Sequence, residues 1–148
     1  MRAVVQRVTR ARVSVEGRGV GAIGRGLLVL LGVASSDQEA DCHALARRLP
    51  ALRIFPDPNG KMNLDLVAAG GQMLVVSQFT LLADTRGGRR PSFSKAAPAE
   101  QARSLYELFI AACRERGLEV AHGHFGAKME VELVNDGPVT LIVDSNEA

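Results

Sequence analysis

Ser77, Gln78 and Thr80 are the residues best equipped for chemistry, because they interrupt an apolar run that opens at Met73 and closes at Leu82. A hydroxyl attacks a carbonyl when a base stands beside it and a third group orients that base. The sequence places no such base: His43 falls in a helical pattern, and His122 and His124 come far along the chain. Gln78 offers an amide that can donate to a carbonyl oxygen or to a base edge. The plain alternative for all three is satisfaction of neighbouring backbone inside a buried strand, where polar groups need partners. Read as a strand to its end, the run puts Gln78, Thr80 and Leu82 on one face and Ser77, Phe79 and Leu81 on the other.

A second group is Arg86-Gly87-Gly88-Arg89-Arg90, within a stretch from Ala83 to Lys95 that has no apolar period. Glycines let a phosphate approach backbone N–H groups, and arginines grip phosphate oxygens in pairs. The pattern is not GxxxxGK[ST], so no nucleotide-triphosphatase loop is indicated. Arg7, with Arg10 and Arg12, extends a basic stripe from the N-terminus. Contact with an RNA phosphate backbone is the functional reading of Arg7, Arg86, Arg89 and Arg90, and a solvated loop is the plain one. Phe79, Phe93 and Phe125 are candidates for base stacking, against a core role.

Other patterns lead less far. His122 and His124 are two apart, but a zinc site needs further ligands, and neither a Cys pair nor HExxH is present, so no metal is expected. Gly19-Val20-Gly21-Ala22-Ile23-Gly24 matches GxGxxG, yet a strand rather than a helix follows it, and no cofactor is expected. Gly137-Pro138 is unusual in a β region, since proline cannot donate to a sheet ladder. Its peptide bond is of the kind that can be cis, while a trans bond in an ordinary turn is the default.

The elements that must position these groups follow from periodicity. Residues 1–15 read as two strands with a turn at Glu16 to Gly19, then a short strand with Val20 and Ile23, then a buried strand at Leu27 to Val33. Ser36 and Glu39 form a capping box for a helix whose apolar face holds Ala40, Ala44, Leu45 and Leu49. Leu52 to Phe55 reads as a strand, Asp57 to Gly60 as a turn, and Lys61 to Gly71 as irregular chain. A second helix opens near Pro98, buries Ala102, Leu105, Phe109 and Ala112, and ends at Gly117. Leu118 to His122 is a strand. Two more alternating runs flank Asn135-Asp136-Gly137-Pro138, where Asp-Gly signals a hairpin. The order predicts one mixed α/β domain over 1–148 with helices on one side of its sheets.

Composition fits this reading. The chain has 148 residues, 47% hydrophobic and 23% charged, enough for one sizeable core. A net charge of +2 does not by itself imply nucleic acid. Cys42 and Cys113 lie in the two helical stretches without a CxxC and read as reduced. The longest apolar run, Leu27 to Leu31, is too short for a bilayer, so a soluble cytoplasmic protein with no membrane partner is expected.

Taken together, the motifs closely resemble the D-aminoacyl-tRNA deacylase family, also known as D-tyrosyl-tRNA deacylases. The resemblance runs through Met1-Arg2-Ala3-Val4-Val5-Gln6-Arg7-Val8, Ser77-Gln78-Phe79-Thr80-Leu81, Arg89-Arg90-Pro91-Ser92-Phe93, Phe125-Gly126-Ala127 with Met129, and Asn135-Asp136-Gly137-Pro138-Val139-Thr140. It implies a three-layer fold of two packed β-sheets with helices on one side, and a homodimer that hydrolyses the ester of D-aminoacyl-tRNA and of glycyl-tRNA(Ala). Gly137-Pro138 would be a cis pair inserted into the partner's site, its carbonyl oxygens excluding an L side chain. Ser77, Gln78, Phe79 and Thr80 would form the catalytic strand end, with Thr80 positioning rather than attacking and backbone N–H donors near Phe79 holding the oxyanion. Phe125, Met129 and Asn135 would hold substrate or the terminal adenosine, whose 2′-OH would assist the attack. Without the resemblance, two rivals stand: a non-catalytic RNA-binding module using the Arg86–Arg90 loop, and an esterase for small substrates depending on Ser77 or Thr80.

Overall fold

The computed structural model describes residues 1–147. Its organising strand is β1 (Arg2–Val15), which pairs antiparallel with three others. On one side, β1 meets β2 (Arg18–Ile23) through its second half and β3 (Gly26–Gly32) through its first. On the other side it meets β8 (Glu130–Asp144) along most of its length. β3 then pairs in parallel with β6 (Gln72–Ser77), and β6 in parallel with β7 (Val120–His122). A separate hairpin joins β4 (Phe55–Pro56) to β5 (Met62–Leu64).

One hydrogen-bonded sheet supplies both β layers. Ala3 and Val5 of β1 pack with Leu27, Val29 and Leu31 of β3 and Met73 and Val75 of β6 against the helices. Val8, Ala11 and Val13 pack instead with Ile23 and with Leu28, Leu74 and Val76 on the opposite face of β3 and β6. Register shifts between Gln6 and Val8 and between Val8 and Arg10 mark where β1 passes from one layer to the other. β3 and β6 are therefore covered on both faces, which is why they read as unbroken apolar runs. Helices α1 (Glu39–Arg48) and α2 (Ala99–Glu115) form the third layer.

Several expectations shift. Residues 2–15 are one strand, because the irregularity near residue 8 bends the ladder without ending it. The α1 cap lies two residues later than Ser36: Gln38 N–H donates to the Asp41 carboxylate at 2.9 Å, and the buried face is Cys42, Leu45, Ala46 and Leu49. Pairing in the Leu52–Phe55 stretch begins only at Phe55. No hairpin forms at Asn135–Pro138. Residues 130–135 and 140–144 both pair with β1 in one continuing direction, so the chain bulges outward between them instead of reversing.

Candidate active site

The floor of the site forms where β6 runs out of partner. Its last ladder bond is Gln78 N–H to the Leu31 carbonyl at 2.8 Å, and β3 ends one residue later. The chain then folds into a 3-10 turn, Phe79–Leu82, so the strand alternation expected for Gln78, Thr80 and Leu82 does not hold. Gly32 makes room for this turn: a Cβ there would lie 2.5 Å from Leu82 Cδ2 and 3.0 Å from the Gln78 carbonyl oxygen. The first bond within the turn runs from Leu81 N–H to the Gln78 carbonyl at 3.2 Å. The Phe79 and Thr80 amides precede it, and the first N–H groups of a helical turn have no partner inside that turn.

Beside this floor lies a cleft of ≈ 470 Å³. Ser77, Gln78 and Phe79 line one part, and Phe125, Gly126, Ala127 and Met129 face it from the connection after β7. Small side chains leave the space between, among them Ala97 ahead of α2 and Ala99 and Ala102 within it. Phe125 is fixed from behind by Tyr106, 5.7 Å between ring centroids, and Tyr106 Oη donates to the Val75 carbonyl at 3.0 Å. Burial pushes the Tyr106 phenol up to about 12, so it is a structural donor. Thr80 is exposed, and its hydroxyl accepts a hydrogen bond from Gln78 Nε2. Among the described residues no histidine or carboxylate bonds to Ser77 or Thr80. A second hollow of ≈ 370 Å³ lies near Met1, Asp37, Asp41 and Ser145. There the polar groups satisfy one another: the Met1 amino group donates to Asp37 at 2.6 Å and to Ser145 at 2.7 Å.

The second notable feature is convex. Gly137 and Pro138 are exposed at the crest of the β8 bulge, joined by a cis peptide bond. Two side chains hold the bulge from below. Arg7, only 8% exposed, donates from Nε to the Asp136 carbonyl at 3.2 Å, lies 3.2 Å from the Asp136 carboxylate, and donates from Nη1 to the Ile54 carbonyl at 2.5 Å. Asn135 Nδ2 donates to the Arg7 and Val139 carbonyls, both at 3.0 Å. Gly137 has φ +126°, and a Cβ there would meet Arg7 Nη2 at 2.9 Å and Val139 Cγ2 at 2.9 Å. Six positions of extended strand separate Val131, at the cleft, from Gly137, about 20 Å of chain.

The arginine loop lies next to Phe79. Phe93 meets the Phe79 ring edge to face, 5.1 Å between centroids, and Asp84 and Ser92 exchange backbone bonds of 2.8 and 2.9 Å. Arg86 folds back on Asp84, and its hydrogen bonds hold the Asp84 carboxyl down at about 2. Arg89 and Arg90 are exposed.

This architecture has counterparts of known class. The family model for D-Tyr-tRNA(Tyr) deacylase matches residues 4–144. The chain belongs to that family. The D-aminoacyl-tRNA deacylase of Anaeromyxobacter dehalogenans is 61% identical over 98% of this chain and 97% of its own. That of Thermosipho africanus is 56% identical over 99% of both. Among solved structures, one titled c-Myc DNA Unwinding Element Binding Protein superposes with a TM-score of 0.91 at 41% identity, over 97% of this chain and 98% of its own. A probable eukaryotic D-amino acid tRNA deacylase shares the fold, with a TM-score of 0.83 at 20% identity and the same coverage. The protein is accordingly an enzyme, a hydrolase of the D-aminoacyl-tRNA deacylase type.

Within this deacylase the sequence-selected residues separate into three places. Ser77, Gln78, Phe79, Phe125 and Met129 meet at the cleft, with Thr80 just outside its wall. Gly137 and Pro138 stand on the bulge, and Asn135 and Arg7 are beneath it rather than at the cleft or on the surface. Arg7 is thus not on the surface where a phosphate contact was expected: it is 8% exposed, and its Nε and Nη1 donate to carbonyls inside the fold. Arg86, Arg89 and Arg90 occupy the exposed loop. His122 Nδ1 lies 2.8 Å from the Gly123 carbonyl, and among the described residues no three of His, Cys, Asp and Glu gather as metal ligands. Cys42 and Cys113 are buried free thiols, pushed up to about 12 by burial. Among the described residues no helix is long and apolar enough to cross a membrane. The small wall residues Ala97, Ala99 and Ala102 were missed, although the alanine run around Pro98 was a visible signal.

Proposed function

We propose that this protein hydrolyses the ester linking a D-amino acid to the terminal adenosine of tRNA, and that glycyl-tRNA(Ala) is a substrate for the same reason. The observation that carries the reading is the cleft in which Ser77-Gln78-Phe79 faces Phe125 and Met129, in a chain of this family. In the reaction water attacks the ester carbonyl. The bond to the ribose oxygen breaks, the amino acid leaves as a carboxylate and the ribose hydroxyl is regenerated. The Phe79 and Thr80 amides would hold the oxyanion, since the 3-10 turn gives them no internal partner. The terminal 2′-OH would assist the attack, a role in keeping with a Thr80 hydroxyl bonded to an amide rather than to a base.

Selectivity would come from exclusion. In a homodimer, Gly137-Pro138 of one subunit would enter the other's cleft and place carbonyl oxygens where an L side chain must go. Three features support this: the bulge is exposed, it is rigidly braced, and it stands about 20 Å along β8 from its own cleft. β8 also has β1 as its only described neighbour in the sheet, and its exposed face carries Ile142 at 69% and Val134 at 39% exposure. Glycine has no side chain to exclude and would pass.

The direct test is release of amino acid from D-tyrosyl- and L-tyrosyl-tRNA by purified protein. The D ester should be hydrolysed and the L ester spared, and equal rates would overturn the reading. Thr80→Ala should retain substantial activity; loss comparable to blocking the whole cleft would make Thr80 the nucleophile. A second reading, nucleic-acid binding without turnover, draws on the exposed Arg89 and Arg90 and on the name of the 41% identical neighbour, c-Myc DNA Unwinding Element Binding Protein. It expects tRNA binding with no release from either ester.

A further inference from the structure

Arg103 lies on α2, one residue after Ala102 of the cleft wall, and it is exposed. Its guanidinium carbon is 5.1 Å from the centroid of the Phe125 ring, the aromatic side chain that faces Ser77–Phe79 in the cleft. Glu100 and Glu107 stand about one turn away on either side along the helix, yet among the described residues Arg103 enters no ion pair. A guanidinium laid over a ring uses its flat face and keeps the N–H groups of its rim outward. Those rim donors match phosphate oxygens in spacing and charge. The stacking also fixes the side chain beforehand, so less rotamer freedom is lost when an anion binds.

We propose that Arg103 is a phosphate-binding residue at the margin of the cleft, taking a phosphodiester of the acceptor strand next to the nucleotide held against Phe125. This rests on the reading of the cleft as the site for the tRNA end. Ester chemistry at a ribose places the nearest phosphodiester one sugar away from the reacting bond. A cation beside Phe125 is suitably located for it, whereas the Arg86–Arg90 loop stands beside Phe79. Arg103 would therefore distinguish a nucleic-acid substrate from a bare aminoacyl nucleoside, without touching the ester.

The test compares two substrates, D-tyrosyl-tRNA and 2′(3′)-O-D-tyrosyl-adenosine, which has no phosphate. Arg103→Gln should raise KM for the tRNA substrate about tenfold, the usual scale of one charge-assisted contact, with kcat within about twofold. On the adenosine ester kcat should be unchanged and KM should rise by no more than about twofold, the scale of a lost exposed contact with Phe125. The dependence of log KM on log salt should become shallower by about 0.7 to 0.9, one phosphate contact. Arg103→Lys should recover part of the tRNA affinity, and thermal melting of both variants should match the unaltered protein. Equal losses on both substrates would overturn the proposal, because they would mean that Arg103 acts only by packing on Phe125. An unchanged salt slope would overturn it too. Failure of the unaltered protein to cleave D-tyrosyl-tRNA would instead remove the reading of the site itself.

Discussion

Two segments depart from regular β geometry, and they do so in opposite ways. After Ser77 the chain leaves the sheet: its neighbour β3 ends at Gly32, and a 3-10 turn packs over that glycine. The result is concave, with backbone amides and side chains facing a cleft. At Asn135–Val139 the chain stays with the same neighbour, β1, on both sides of the irregularity and only bulges outward. The result is convex, with Gly137 and Pro138 at the crest. The first segment is seated by main-chain bonds and by packing over Gly32, whereas the second is held by side-chain hydrogen bonds: Arg7 donates to the Asp136 and Ile54 carbonyls, and Asn135 to the Arg7 and Val139 carbonyls. A cleft can tolerate adjustment of its wall, whereas a projecting edge must be rigid if, as proposed, it excludes by position.

The sharpest way to break this contrast is to remove the brace. Arg7→Met keeps the apolar stem but leaves the Ile54 carbonyl and Asp136 without their partner, and should cost about 3 kcal/mol in denaturant unfolding. Protection of the L ester should be lost with it. Unchanged stability would mean that the bulge holds its shape without Arg7. Gly137→Ala acts more locally: positive φ and close approach to Arg7 and Val139 should cost about 1–3 kcal/mol and blunt enantiomer discrimination, read from the ratio of D to L hydrolysis rates.

The loop beside the concave segment should respond differently. Arg89→Gln with Arg90→Gln should leave unfolding stability within about 0.5 kcal/mol, as expected at exposed positions, while weakening tRNA binding and flattening its salt dependence. The smallest effect concerns Arg86 and Asp84. Asp84 is depressed to about 2 from 3.8, so the interaction is present above the ordinary carboxylate range and is lost as pH falls through about 2. NMR titration of the Asp84 carboxyl should show a midpoint near 2, and an ordinary midpoint would mean that the pair is open in solution.

Much of this was legible in the chain itself. Continuous apolar runs marked β3 and β6, helical spacing marked α2, and the polar interruption at Ser77-Gln78 marked the end of β6, which lines the cleft. The misreadings share a physical origin. Asp136-Gly137 has the composition of a hairpin, but whether a chain reverses depends on which strand each flank pairs with, and both flanks here pair with β1. Arg7 resembled its neighbours Arg10 and Arg12 in a basic stripe, and nothing local says that its side chain turns inward under a bulge 129 residues away. The turn at Phe79 depends on where β3 ends, which is again a tertiary fact.

The central question is whether cleft and bulge of different subunits form one site. Ala99→Trp should fill the cleft and leave the bulge intact, and Gly137→Ala should do the reverse. The decisive measurement is hydrolysis of D- and L-tyrosyl-tRNA by each variant alone and by the two mixed and allowed to exchange subunits, with Ala99→Trp in excess. Neither variant alone should show D-selective hydrolysis, and the mixture should regain it. A mixture no more selective than its components would contradict a site shared between chains.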